Sequence, residues 1–260
     1  MLKKSLVAIV IIACALAGEA FAAHPLITDD SGTQGKGNVQ LEFIGEYGID
    51  KHDGVREKSL QVPTVPFLTY GLTDATDIVM GLPYNEVVTE DAAGKSAVRG
   101  IGDASLELKT RFYEKDGLSF AVKPGITLPT GDENKGLGNG RASYHAFLIT
   151  TKEVQPCAFH LNLGYIHNQY KFQADEDANR KDLWHVSLAA QAELVKNVKA
   201  VANVGMERNP DKTSETHPTF ILGGLICSIT ENLDIDAGIK YGLNRPETDI
   251  AYLAGITWRL

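Results

Sequence analysis

Residues 249–260 read Asp249-Ile250-Ala251-Tyr252-Leu253-Ala254-Gly255-Ile256-Thr257-Trp258-Arg259-Leu260. Ile250, Tyr252, Ala254, Ile256, Trp258 and Leu260 share one parity. Successive side chains of a strand point to opposite faces, so this alternation gives a strand with one consistently apolar face. A strand of about ten residues crosses a bilayer when tilted. The sequence ends inside this strand, and an open strand edge is a liability unless a neighbour pairs with it. The first alternating run, Val39–Tyr47, is the partner that would close the sheet into a barrel.

Between these two, alternating runs recur at 39–48, 59–70, 77–84, 103–113, 118–128, 143–152, 157–170, 183–195, 198–207, 218–229, 232–242 and 249–260. The run 77–84 is the weakest, because Pro83 demotes its end. Links after even-numbered runs are short: Gly71–Thr76, Glu114–Gly117, Glu153–Pro156, Lys196-Asn197 and Thr230-Glu231. Links after odd-numbered runs (49–58, 85–102, 129–142, 171–182, 208–217 and 243–248) are longer and rich in Asp, Glu, Lys, Gly and Asn. Short turns on one rim and long polar loops on the other describe a transmembrane, antiparallel, up-and-down β-barrel of about twelve strands, with both termini at the periplasmic rim. The predicted class is all-β.

The faces follow from parity. In 103–113, Leu106, Leu108 and Phe112 oppose Glu107, Lys109 and Arg111. In 157–170, Phe159, Leu161, Leu163 and Tyr165 oppose His160 and Asn162. In 183–195, Trp184, Val186, Leu188 and Leu194 oppose His185, Ser187, Gln191 and Glu193. In 232–242, Ile235, Ile239 and Tyr241 oppose Asp234, Asp236 and Lys240. A Lys or Arg facing lipid at mid-bilayer costs about 2–4 kcal/mol. The polar parity is therefore expected to line the lumen, adding Glu42, Glu46, Lys123 and Lys199. This lining mixes both signs. One reading is a polar eyelet that selects solutes; the other is a salt-bridge network that fills the interior.

A soluble barrel also alternates. Three features favour the membrane. Residues 1–22 read as a secretory signal: Lys3 and Lys4, the apolar Leu6–Leu16, and Ala20-Phe21-Ala22 as a cleavage site. A lipoprotein reading at Cys14 would ignore that site. The loop lengths are asymmetric. Aromatic residues (Tyr47, Tyr70, Tyr84, Phe112, Tyr113, Trp184, Tyr241 and Trp258) cluster near run ends, as an interfacial girdle does. The expected organisation is a signal over 1–22, a polar lead-in over 23–38 that plugs the lumen or trails in the periplasm, and a barrel over 39–260.

The formal charge of −8 argues against a nucleic-acid partner, which needs a basic surface. Cys157 and Cys227 have opposite parity on non-adjacent runs and are expected to remain free thiols.

The chain carries His24-Pro25-Leu26-Ile27-Thr28-Asp29-Asp30 with Gly32-Thr33-Gln34-Gly35, Leu41-Glu42-Phe43, Gly71-Leu72-Thr73-Asp74, Leu128-Pro129-Thr130-Gly131-Asp132 with Gly136-Leu137-Gly138, and Gly255-Ile256-Thr257-Trp258-Arg259-Leu260. In these segments it resembles the MetA-pathway-of-phenol-degradation family of bacterial envelope proteins. The family's closing strand often ends in Phe, and this one ends in Leu. The resemblance implies an outer-membrane barrel passing small organic molecules. It brings no catalytic or binding residues.

Asp132, Glu133 and Asn134 cluster oxygens in the loop 128–141, which is expected to fold over the mouth and not to hold a metal. Ser143 with His145, and Ser187 with His185, have no accompanying hydrolase motif, and His24, Asp29 and Asp30 are read as part of an N-terminal segment packed at the rim and not as a metal site. No enzyme activity, metal or cofactor is expected. The expected function is passive or facilitated passage of small, hydrophobic or aromatic solutes through the outer membrane. The alternatives are a closed barrel whose outer loops bind partners, or an outer-membrane lipid-modifying enzyme. The expected partners are outer-membrane lipid and lipopolysaccharide, the barrel-assembly machinery and the solute. The oligomeric state is not readable from the sequence.

Overall fold

The structure is a computed structural model that describes residues 24–52 and 54–260; the expected signal at 1–22 lies outside them. Among the described residues, fifteen hydrogen-bonded segments follow one another. They are β1 (Val39–His52), β2 (Val55–Pro63), β3 (Phe67–Thr73), β4 (Thr76–Gly81), β5 (Pro83–Asp91), β6 (Gly94–Ile101), β7 (Ala104–Lys115), β8 (Leu118–Leu128), β9 (Ser143–Val154) and β10 (Cys157–His167), then β11 (Asp182–Val195), β12 (Val198–Glu207), β13 (Thr219–Ser228), β14 (Leu233–Gly242) and β15 (Ile250–Arg259). Every ladder is antiparallel, and β15 pairs with β1 from Gln40↔Arg259 to Ile49↔Ile250. The closure that residues 249–260 implied is therefore present.

The fifteen segments make twelve staves. β2 and β3 both pair with β1, one above the other. β4 with β5, and β6 with β7, continue each other in the same way. The interruptions fall near Pro63, Pro66 and Pro83, residues with no N–H to give a ladder. Two expected loops are thereby corrected. Residues 49–58 and 85–102 are for the most part strand: β1 extends to His52 and β2 starts at Val55, while β5 and β6 form a hairpin closed near Asp91 and Gly94. Their charged residues read as loop but alternate across a sheet that continues past the bilayer. Arg56↔Glu90↔Lys95 and Glu86↔Arg99 place opposite charges side by side on it. The expected loop 171–182 also carries a short helix, α1 (Gln173–Ala178).

The outer surface is apolar. Phe43, Phe159, Leu188, Ile221, Ile239, Tyr252 and Ile256 are exposed at strand positions whose neighbours are buried, and Phe112, Leu163, Leu225 and Trp258 are exposed as well. A contiguous exposed apolar band of this kind is stable only against lipid, so the barrel spans a membrane. The described residues contain no helix long and apolar enough to cross one. Cys157 and Cys227 are free, on β10 and β13.

Candidate functional site

The lumen is occupied by the chain itself. Residues 24–37 enter it and cross from the β14 wall to the β4 rim, fastened at each step. The imidazole Nδ1 of His24 contacts the Asp236 carboxylate on β14. Pro25 packs where Gly224 and Gly238 have no side chains; a Cβ on either would collide with its ring. The N–H groups of Ile27 and Thr28 donate to Asn203 Oδ1 at 2.8 and 3.0 Å. Asp29 exchanges two bonds with the Asn162 side chain, each 2.8 Å. The Ser31 N–H donates to Thr151 Oγ1 at 3.0 Å, and its hydroxyl lies 2.6 Å from that of Ser119. The N–H of Gln34 donates to the Asp77 carboxylate, and the segment leaves past Gly71, which lies against the Gly35 backbone too closely for a side chain.

Leu26 is the apolar fastener. It is buried with Ala189, Val201, Phe220, Leu222, Ile226, Ala251 and Leu253, all projecting inward. Burying a leucine side chain stabilises by roughly 1.5–3 kcal/mol. An inward apolar patch in a water-filled tube would have no such partner.

The charged fastener is Asp29. Its two oxygens accept from Lys109 Nζ at 2.9 Å and Lys123 Nζ at 2.8 Å. Lys123 also lies 3.5 Å from Glu107, which is bonded to His145 Nε2 at 2.7 Å. Buried charges must be paired to persist, and here the partners come from both segment and wall.

Most residues of the polar parity are buried or half-buried. Glu46 pairs with Lys240 at 3.0 Å, and Lys240 also approaches Glu247 at 3.4 Å. His160 bonds Thr151 at 2.9 Å, His185 lies 3.5 Å from Glu207, and Asp234 pairs with Arg259 at 2.8 Å. Gln191 is half-buried. Three residues belong to the periplasmic rim instead. Glu193 and Lys199 face each other beside the turn at Lys196-Asn197, both exposed, and Arg111 pairs with Glu114 beside the β7–β8 turn. Strand ends protrude past the wall, and parity alone does not report height.

The extracellular mouth is narrowed from outside. The loop 129–142 bends inward and buries Leu137 against Gly100, whose missing side chain makes the room. Asp103 accepts the N–H groups of Gly131 and Asn139, each at 2.9 Å. Asp132 caps a short 3₁₀ turn, Glu133–Lys135, by accepting from the Asn134 N–H at 3.1 Å. Glu133 pairs with Lys171 of the neighbouring loop. That ammonium hydrogen bond holds the Glu133 carboxyl below its ordinary range, and the Lys135 contact does the same for Asp132. Burial pushes the nearby Tyr170 hydroxyl up. Asp132, Glu133 and Asn134 thus build the loop, and among the described residues no three acidic, imidazole or thiol groups converge on a metal position.

The other singled-out groups are dispersed. Ser143 Oγ accepts from Asn139 at 3.3 Å and from the Gln169 N–H at 3.2 Å, while His145 is committed to Glu107. His24 sits on Asp236, apart from Asp29 and Asp30. The sequence reading missed Leu26 and its apolar seat. The signal was the Leu26-Ile27 pair, the apolar dipeptide in an otherwise polar lead-in.

Comparison with known proteins adds three findings. The family model described as "Putative MetA-pathway of phenol degradation" matches residues 24–260. Curated proteins give no match. Among solved structures, an outer-membrane channel from Pseudomonas putida F1 is similar, with TM-score 0.72 and 13% identity over 89% of this chain and 98% of that one. The NanC porin is similar with TM-score 0.55 and 12% identity, over 85% and 100%. The translocator domain of the autotransporter NalP from Neisseria meningitidis gives TM-score 0.50 and 11% identity, over 87% and 89%. At these identities the likeness establishes the shared fold, a closed antiparallel β-barrel. The chain belongs to the matched family.

Proposed function

We propose that this member of the MetA-pathway of phenol degradation family is an outer-membrane channel for small organic solutes, regulated by its own residues 24–37. The observation that carries the reading is the way this segment is held. It is fastened by side chains at separate points, not by a continuous ladder, so it can leave the lumen without breaking any barrel strand. The similarity to a solved outer-membrane channel and to a porin supports passage over catalysis, and no enzyme activity is proposed. The family's description makes small aromatic compounds the first solutes to try. The outward apolar band meets lipid, the charged outer sheet of β2, β5 and β6 meets lipopolysaccharide, and β15 is the strand offered to the barrel-assembly machinery.

The dense buried network at Asp29 supports a second reading, a permanently closed barrel that works through its outer loops. Single-channel recording separates the two. The refolded barrel is compared with a variant lacking residues 24–36. Steady open steps in the shortened form, with none or brief ones in the full chain, are expected. Silence in both, with folding shown by heat-dependent gel mobility, refutes the channel.

A further inference from the structure

We propose that the cavity left beside the crossing segment is a binding site for a small organic cation, anchored by the Glu42 carboxylate. The cavity is about 380 Å³ and lies between residues 29–34 and the inward faces of β15, β1, β3 and β4. That volume suits a small organic molecule.

Its charge balance is uneven. Asp29, Asp30, Glu42 and Asp77 face it, against Lys109, Lys123 and Arg259. Each of the three cations is already committed: Lys109 and Lys123 to Asp29, and Arg259 to Asp234 outside the cavity. Asp30 shares Lys109 at 3.6 Å, and Asp77 takes the Gln34 N–H. The unmatched carboxyl is Glu42. It is 1% exposed, the Gln40 amide lies beside it, and its Oε1 has no hydrogen-bond partner. A buried polar atom in that state is costly, and a buried charge more so, until something pairs with it. A ligand cation entering the cavity would remove that cost.

The surroundings select the kind of cation. A divalent metal needs several oxygen ligands around one point, and among the described residues no such convergence of acidic groups exists. An ammonium has three donors to place. Glu42 supplies one acceptor, and the buried hydroxyls of Thr69 and Thr257 line the same space. Val79 gives an apolar flank for a carbon skeleton. Binding is a property of the folded barrel as it stands; its use as a halt on a transport path rests on the channel reading.

The test is equilibrium titration of the refolded full-length barrel in detergent, with benzylamine as probe and benzyl alcohol as its neutral isostere. Benzylamine is expected to bind at least about tenfold tighter, and Glu42→Gln to abolish that preference, since removing one partner of a buried charge pair acts at about this scale or above. If Glu42→Gln does not fold, the comparison of the two probes on the unaltered protein decides alone. Equal binding of both probes, no benzylamine binding, or an unchanged preference in Glu42→Gln overturns the proposal. An intact preference in a barrel that never conducts would refute the channel reading and leave this site standing.

Discussion

Lys123 on β8 and Asp29 on the crossing segment meet at 2.8 Å, each about 1% exposed. Lys123 is thus a wall residue whose charge is satisfied by a piece of chain that is not part of the wall. Glu107 offers it a second, longer contact at 3.5 Å. Seating the segment and neutralising the lumen are therefore one event. With the segment gone, water must take over the solvation of Lys109 and Lys123.

This coupling predicts the behaviour of Asp29→Ala. Removing one partner from a buried ion pair costs about 3–5 kcal/mol when the other charge stays buried. Here the lysines escape that cost if the segment undocks and water enters. Asp29→Ala should therefore raise open-channel occupancy and protease cleavage near residue 30, with little change in the urea midpoint of the barrel. A lowered midpoint with no added conductance would show that Asp29 serves barrel stability and not closure.

Leu26→Ala tests the apolar fastener. Leucine-to-alanine changes in packed sites cost about 2–5 kcal/mol, here charged to docking of the segment among Val201, Phe220, Leu222 and Leu253. The variant should release the segment as Asp29→Ala does, read by cleavage in intact vesicles. Wild-type protection would mean that the polar fasteners suffice.

The two faces of β11 give a prediction about the membrane itself. Leu188 points outward and is half-exposed, and the adjacent Ser187 points inward and is buried. Leu188→Arg should destabilise the lipid-inserted barrel by about 2–4 kcal/mol. Ser187→Ala should leave stability nearly unchanged, since the Ser187 hydroxyl has no hydrogen-bond partner to lose. Urea unfolding in vesicles measures both, and equal effects would refute the assignment of faces.

The alternation that exposes Tyr252, Ala254 and Ile256 and buries Ala251, Leu253 and Thr257 was legible in the sequence because a lipid face and a lumen face impose opposite demands at every second residue. The same demand marked Glu107, Lys109, Lys123, Asp234 and Asp236 as inward. It weakens outside the bilayer, where the end of β5 and most of β6 are exposed, and there Glu86, Glu90, Lys95 and Arg99 read as a loop. What filled the lumen was only half legible. The lead-in has no periodicity because its backbone N–H groups are satisfied by Asn162, Thr151, Asn203 and Asp77, residues 43 to 176 positions away in sequence. Long-range fastening of that kind leaves no local pattern.

The central claim, that residues 24–37 close a conducting lumen by docking in it, is tested most directly by a reversible tether. The hydroxyls of Ser31 and Ser119 lie 2.6 Å apart, so Ser31→Cys with Ser119→Cys places two thiols at bonding range. Cys157 and Cys227 are replaced by Ser to prevent mispairing. Single-channel current is then recorded from the oxidised barrel before and after adding reductant. The account predicts silence while the disulfide is intact and open steps on reduction, reversed by reoxidation. Equal currents in both states, or silence in both from a folded barrel, would contradict it.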